Sequence, residues 1–213
     1  MDLVAVDVGN TRIHTALFRD GRFVRILASP SAACADVVAV ASVRRTAKLP
    51  RGARILGRDF PPLVRNRARH PETVGADRLA AASAAWAHAR RACAAVTIGT
   101  AVTVSVVNDR GEFIGGLIAP GLRLQAGALR EHTALLPRVA PRRVRTVVGR
   151  DTREAIAAGL SAMVEGALRC VRRELPRVRL YGCGGDGKLF RDLFDEWRPH
   201  LVLEGIDHSY RHA

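Results

Sequence analysis

Asp7-Val8-Gly9-Asn10-Thr11 ends an apolar run that begins at Leu3, and Thr97-Ile98-Gly99-Thr100-Ala101 repeats the arrangement ninety positions later. Each copy reads as a buried strand, a glycine beside a small polar residue at a tight turn, and a returning strand. In the first copy the strands fall at 3–8, 12–18 and 22–27, with Asp20-Gly21 as the second turn. In the second they fall at 96–98, 102–107 and 113–118, with Asn108-Asp109-Arg110-Gly111 as the second turn. Internal repetition defines architecture before any single element does.

Outward from these hairpins, 37–42 is a short apolar run, and 45–72 is irregular, rich in Pro, Arg and Gly. The alanine-rich stretch 78–95 predicts a helix ending near Arg91. Helices are also expected over 122–136, 153–175 and 188–194, and a strand over 177–181. The fold class expected is α/β, with one half over 1–90, the other over 91–213, and a cleft between them.

Turns of this kind have a chemical use. Glycine lets the backbone approach a ligand closely, and the turn aims several N–H groups at one point, which suits phosphate. Asp7 at a strand end can hold Mg²⁺ directly or through water, since Mg²⁺ prefers oxygen ligands and keeps several waters. One such turn alone is no more than an ordinary hairpin; two at matching positions point to phosphate binding. Gly75-Ala76-Asp77-Arg78 lies where the irregular segment enters the alanine-rich helix. Asp77 there is either a plain helix cap or a base taking a hydroxyl proton, with Arg78 as a planar fork for an anion; spacing does not choose. The cluster Gly182-Cys183-Gly184-Gly185-Asp186-Gly187 fits neither G-x-x-x-x-G-K-[ST] nor G-x-G-x-x-G.

Composition removes other classes. The 213 residues carry 34 Lys+Arg against 20 Asp+Glu, a formal charge of +14. Such a charge first suggests nucleic acid. The arginines are scattered, though, with no run longer than two, aromatics are 5%, and no nucleic-acid motif appears. Hydrophobic content of 48% excludes disorder. No apolar run is long enough to span a membrane, and the N-terminus lacks a secretory pattern. Cys34, Cys93, Cys170 and Cys183 form no C-x-x-C pair, so reduced thiols and a cytoplasmic location are expected.

Taken in order, these residues resemble the type III pantothenate kinases of the sugar-kinase/actin-like superfamily. The resemblance is carried by Asp7–Thr11, Ala41-Ser42-Val43, Pro71 with Val74–Arg78, and Gly99-Thr100-Ala101-x-Thr103. It continues through Gly115–Gly121 with Leu136-Pro137, Thr152 with Ala155-Ile156 and Gly159, Gly184-Gly185-Asp186, and Leu201–Gly205. What it implies is a duplicated ribonuclease-H-like (actin-like ATPase) fold and ATP-dependent phosphorylation of pantothenate, the first step of coenzyme A synthesis. Asp77 would be the general base. Arg78 and Thr152 would bind the pantothenate carboxylate region, lined by Gly75 and Ala76. Asp7, Val8, Gly9, Asn10 and Thr11 would hold Mg²⁺ and phosphate. Gly99 and Thr100 would contact phosphate, and Gly184 and Gly185 the adenosine side. Family members are homodimers.

The chain also departs from that pattern. Thr97 stands where the family has an aspartate that helps bind K⁺ or NH₄⁺, and Ser105 replaces another aspartate. His14 stands where some members carry a phosphate-binding lysine, and Ala68 near where an aromatic is usual. These departures motivate the alternative of a catalytically impaired, nucleotide-binding regulatory or transcription accessory protein.

Overall fold

β1 (Asp2–Val8) pairs antiparallel with β2 (Ile13–Arg19), and β2 with β3 (Arg22–Leu27), while β4 (Val37–Ser42) runs parallel to β1. The short β5 (Arg54–Ile55) extends this sheet beside β4, giving the order β3-β2-β1-β4-β5. β6 (Arg65–Asn66) lies in a second sheet, built from β7 (Cys93–Ile98), β8 (Ala101–Val107), β9 (Glu112–Pro120), β10 (Arg179–Cys183) and β11 (Glu196–Trp197). Its order, β11-β10-β7-β8-β9-β6, repeats that of the first sheet when read from β9 to β11. Only two residues join β7 to β8, which requires them to be antiparallel. The computed structural model describes residues 1–29, 35–44 and 48–213, so Cys34 lies outside the described residues.

The described residues also form four α-helices: α1 (Ala76–Ala89), α2 (Leu122–Glu131), α3 (Thr152–Glu174) and α4 (Leu201–Arg211). No described helix is long and apolar enough to cross a membrane. Two compact units emerge. Met1–Ala95, Ser105–Gly116 and His200–Ala213 form one; Val96–Val104 and Leu117–Pro199 form the other. A division at residue 90 follows chain order and the units do not, because α4 packs against α1 at the end of the chain.

β1 shows how the first unit is built. Leu3 and Ala5 join Ala39, Ala41, Ala80, Leu203 and Ile206 in one cluster, while Val4, Val6 and Val8 join Leu17, Leu27 and Val40 in another. The period-2 alternation of a strand puts each set on its own face of the sheet. Each buried Leu or Val side chain contributes about 1.5–3 kcal/mol relative to exposure. The alanine run of α1 reflects a close approach: a Cβ on Gly205 of α4 would fall 1.7 Å from the Ala80 carbonyl oxygen. His88 Nε2, 2.9 Å from Glu204 Oε2, adds a polar tie between the same two helices.

Several boundaries differ from the sequence reading. α1 stops at Ala89 because Arg90 turns left-handed (φ 51°) and its N–H caps the Trp86 carbonyl. Cys93–Ala95 then enter β7, fully buried, so tertiary packing overrides alanine's helix propensity. α2 ends at Glu131, short of 136, and just beyond it the Thr133 hydroxyl donates to the Leu129 carbonyl. Residues 187–193 form 3₁₀ turns, not an α-helix, broken at the fully buried Phe190. β5, β6, β11 and α4 had no reading from the sequence; the three strands are two residues each, too short to show a period.

Candidate active site

In the first unit, the carboxyl end of β1 carries Asp7, paired in register with His14 of β2. The Asp7 side chain is 15% exposed, and its Oδ1 is buried with no hydrogen-bond partner among the described residues. His14 Nδ1 lies 3.6 Å from Asp7 Oδ2, and this carboxylate raises the imidazole's pKa above its ordinary value. Past the strand, Gly9 N–H donates to the Arg12 carbonyl at 3.0 Å, closing the turn and leaving Asn10 and Thr11 exposed. Arg44 Nη2 donates to the Asn10 carbonyl, and Val43 N–H to the Val8 carbonyl at 3.2 Å.

Asp77 belongs to the same unit. It is the second residue of α1, and Gly75 is the capping residue. Its Oδ1 accepts the Arg78 N–H at 2.8 Å. A Cβ on Gly75 would press to 2.5 Å on that oxygen, so the glycine leaves the carboxylate its place. Burial first, and then the negative charge of Asp7, raise the Asp77 pKa above the usual carboxylate range. Arg78 Nε donates to Ser105 Oγ at 3.3 Å, and its guanidinium sits 5.4 Å above the Phe113 ring centre. Ser105, known from the sequence only as a departure from a motif, is thus the hydrogen-bond partner of the expected substrate arginine. No local pattern links positions 78, 105 and 113.

The second unit assembles the other turn. Gly99 N–H donates to Ala101 O at 3.0 Å, Gly121 N–H to Thr100 O at 2.9 Å, and Asp186 N–H to Ile98 O at 3.1 Å. Two glycines make this possible. A Cβ on Gly121 would lie 2.0 Å from Gly99 O, and one on Gly184 (φ 95°) would lie 2.4 Å from Ile98 O. The Gly182–Gly187 cluster is therefore built around close approach to the Ile98 end of β7, and Gly185 is exposed beside it. Thr97 Oγ1 lies 3.2 Å from Cys183 Sγ, and Arg123 Nη2 lies 3.4 Å from Asp186 Oδ1. Thr152 is the exposed first residue of α3, whose cap is Asp151, accepting the Glu154 N–H at 2.8 Å.

Among the described residues no group of three His, Cys, Asp or Glu side chains could hold a metal ion. A single buried carboxylate with an orphaned oxygen, as at Asp7, fits a Mg²⁺ that keeps most of its waters. Cys93 and Cys183 are buried and in no disulfide, and burial pushes the Cys93 thiol up to about 12.

Comparison with known proteins places the chain in one family. Residues 38–174 match the family model of type III pantothenate kinase. The type III pantothenate kinase of Rhodococcus opacus (strain B4) is 39% identical over 158 residues, 68% of this chain and 57% of that protein. The chain thus spans less than two thirds of the length of the curated relatives it matches. Among solved structures, a Campylobacter jejuni protein described as a Baf family transcriptional activator superposes with a TM-score of 0.64 at 17% identity, over 98% of each chain. The activator of 2-hydroxyisocaproyl-CoA dehydratase from Clostridium difficile, with bound ADPNP, gives 0.53 at 10% identity, over 100% of this chain and 95% of that one. These likenesses show the fold, the duplicated ribonuclease-H-like α/β fold of actin-like ATPases and sugar kinases. With the family model matching most of its length, the chain belongs to the type III pantothenate kinase family.

Proposed function

We propose that this chain phosphorylates the primary hydroxyl of pantothenate with ATP, giving 4′-phosphopantothenate for coenzyme A synthesis. The observation that carries the reading is the pair at the start of α1. A half-buried carboxylate of raised pKa, Asp77, stands next to a half-buried guanidinium, Arg78. One can take a proton and the other can hold an anion.

In this reading Arg78 forks the pantothenate carboxylate, with Thr152 beside it and Gly75 and Ala76 lining the site. The substrate hydroxyl gives its proton to the Asp77 carboxylate as its oxygen bonds to the γ-phosphorus, and the bond from that phosphorus to the β–γ bridging oxygen breaks to release ADP. Gly9, Asn10 and Thr11, at the end of the strand carrying Asp7 and Val8, hold phosphate from one turn. Gly99 and Thr100 hold it from the other, and Gly184 and Gly185 take the adenosine side. Asp7 would hold Mg²⁺, which supplies charge neutralisation for the phosphates. Thr97 offers a neutral oxygen engaged with Cys183, so K⁺ or NH₄⁺ has no carboxylate there. The family reading carries a cytoplasmic homodimer with it.

The test is turnover by purified protein. ADP release should require pantothenate, and Asp77→Asn should lower kcat by about 10²–10⁴, the usual weight of a general base. Full activity in that variant would remove Asp77 from the mechanism. Binding of ATP and pantothenate without product would favour a regulatory protein instead.

A further inference from the structure

We propose that Ser105 and Phe113 are positioning residues that set how Arg78 presents its charge to the substrate anion. The proposal rests on the reading of Arg78 given above. The Arg78 guanidinium is held at two places. Ser105 Oγ accepts its Nε–H at 3.3 Å, and the Phe113 ring lies under its face at 5.4 Å. Both supports are buried: Ser105 is 1% exposed on β8 and Phe113 0% exposed on β9. Neither uses the terminal amino groups, and Nη1 and Nη2 have no hydrogen-bond or ion-pair partner among the described residues.

The choice of partner matters. A hydroxyl fixes Nε without adding negative charge, and a ring face favours the cation without competing for its N–H groups. A planar fork so held presents two parallel N–H donors, the geometry a carboxylate accepts. Ser105 and Phe113 therefore separate two tasks, orientation by the protein and neutralisation by the substrate. Neither residue reaches the reacting hydroxyl; both act through Arg78.

The experiment measures steady-state kinetics with pantothenate and with its neutral primary amide, for wild type, Ser105→Ala, Ser105→Thr and Phe113→Leu, with melting temperatures as a folding control. Removing a hydrogen bond to a charged group should raise KM for pantothenate about tenfold in Ser105→Ala while kcat stays within about twofold. Ser105→Thr, which keeps the acceptor, should recover most of that loss, and Phe113→Leu should show a smaller rise of the same kind. KM for the neutral amide should be unchanged by Ser105→Ala, because no carboxylate is there to feel the fork. Equal changes for the acid and the amide would mean a merely structural role, and no change for the acid would mean none; either overturns the proposal. If wild type binds but does not turn over, the kinase reading fails. Calorimetric affinities for acid and amide then read the same ratio, and absence of binding by either overturns both.

Discussion

The two glycine turns are built to one plan and equipped differently. Residues 2–10 and 92–100 share the same sequence of buried, half-buried and exposed positions, which sets Asp7 against Thr97, Gly9 against Gly99 and Asn10 against Thr100. In both, the glycine N–H closes the turn at 3.0 Å. The first turn carries charge: Asp7, with a buried oxygen lacking a partner, lies beside His14 and raises the pKa of Asp77. The second carries a neutral threonine and puts its precision into packing, with Gly121 and Gly184 pressed against the backbone of Ile98 and Gly99. Duplication supplied two equivalent frames. Charge sits in one, and close steric packing in the other.

That division can be broken experimentally. The largest effect should come from the charged turn: Asp7→Asn should lower kcat by about 10²–10³, as expected for loss of an electrostatic contributor, whereas Thr97→Ala at the equivalent site should cost far less. Equal losses in the two would mean the turns share the chemistry.

The packed turn should answer to volume instead. Gly121→Ala and Gly184→Ala force a methyl against backbone oxygens and should each destabilise by about 1–3 kcal/mol or more, read by denaturant unfolding. Gly99→Ala meets nothing within 4 Å and should unfold near the wild-type midpoint. A stable Gly184→Ala protein would show that the backbone there is not fixed.

A smaller effect concerns pH. The raised Asp77 pKa should move the acid limb of kcat/KM above the usual carboxylate range, with activity lost as pH falls through it. The stability consequence has the opposite sense. A carboxyl whose folded pKa is raised contributes stability below its unfolded-chain pKa and loses it as pH rises through the folded value. Asp77→Asn should therefore melt no lower than wild type at neutral pH, despite its expected loss of kcat, with the gap narrowing in acid. A lower melting temperature at neutral pH would mean the carboxylate is held by favourable contacts. The smallest expected effect is exchange of K⁺ for Na⁺, which should leave turnover unchanged because Thr97 supplies no charge.

Much of this was written locally. The runs 3–8 and 96–98, the turn glycines and the alternation along β1 are properties of adjacent residues, so strand–turn–strand units, their duplication and the position of Asp77 near a helix start could be read directly. The helix ends were less legible, because Arg90 in a left-handed conformation and buried alanines in β7 answer to packing and not to propensity.

The sequence by itself determined the repeated frame, the residues available for phosphate and anion binding, and the neutral character of position 97. Only the tertiary structure decided that Ser105 meets Arg78 across 27 residues, that Thr97 meets Cys183 across 86, and that α4 lies on α1 through Gly205 and Ala80. The physical reason is range. Backbone preference and hydrophobic period act over a few residues, whereas a hydrogen-bond partner or a steric gap depends on which distant segments the folded chain brings within a few ångströms.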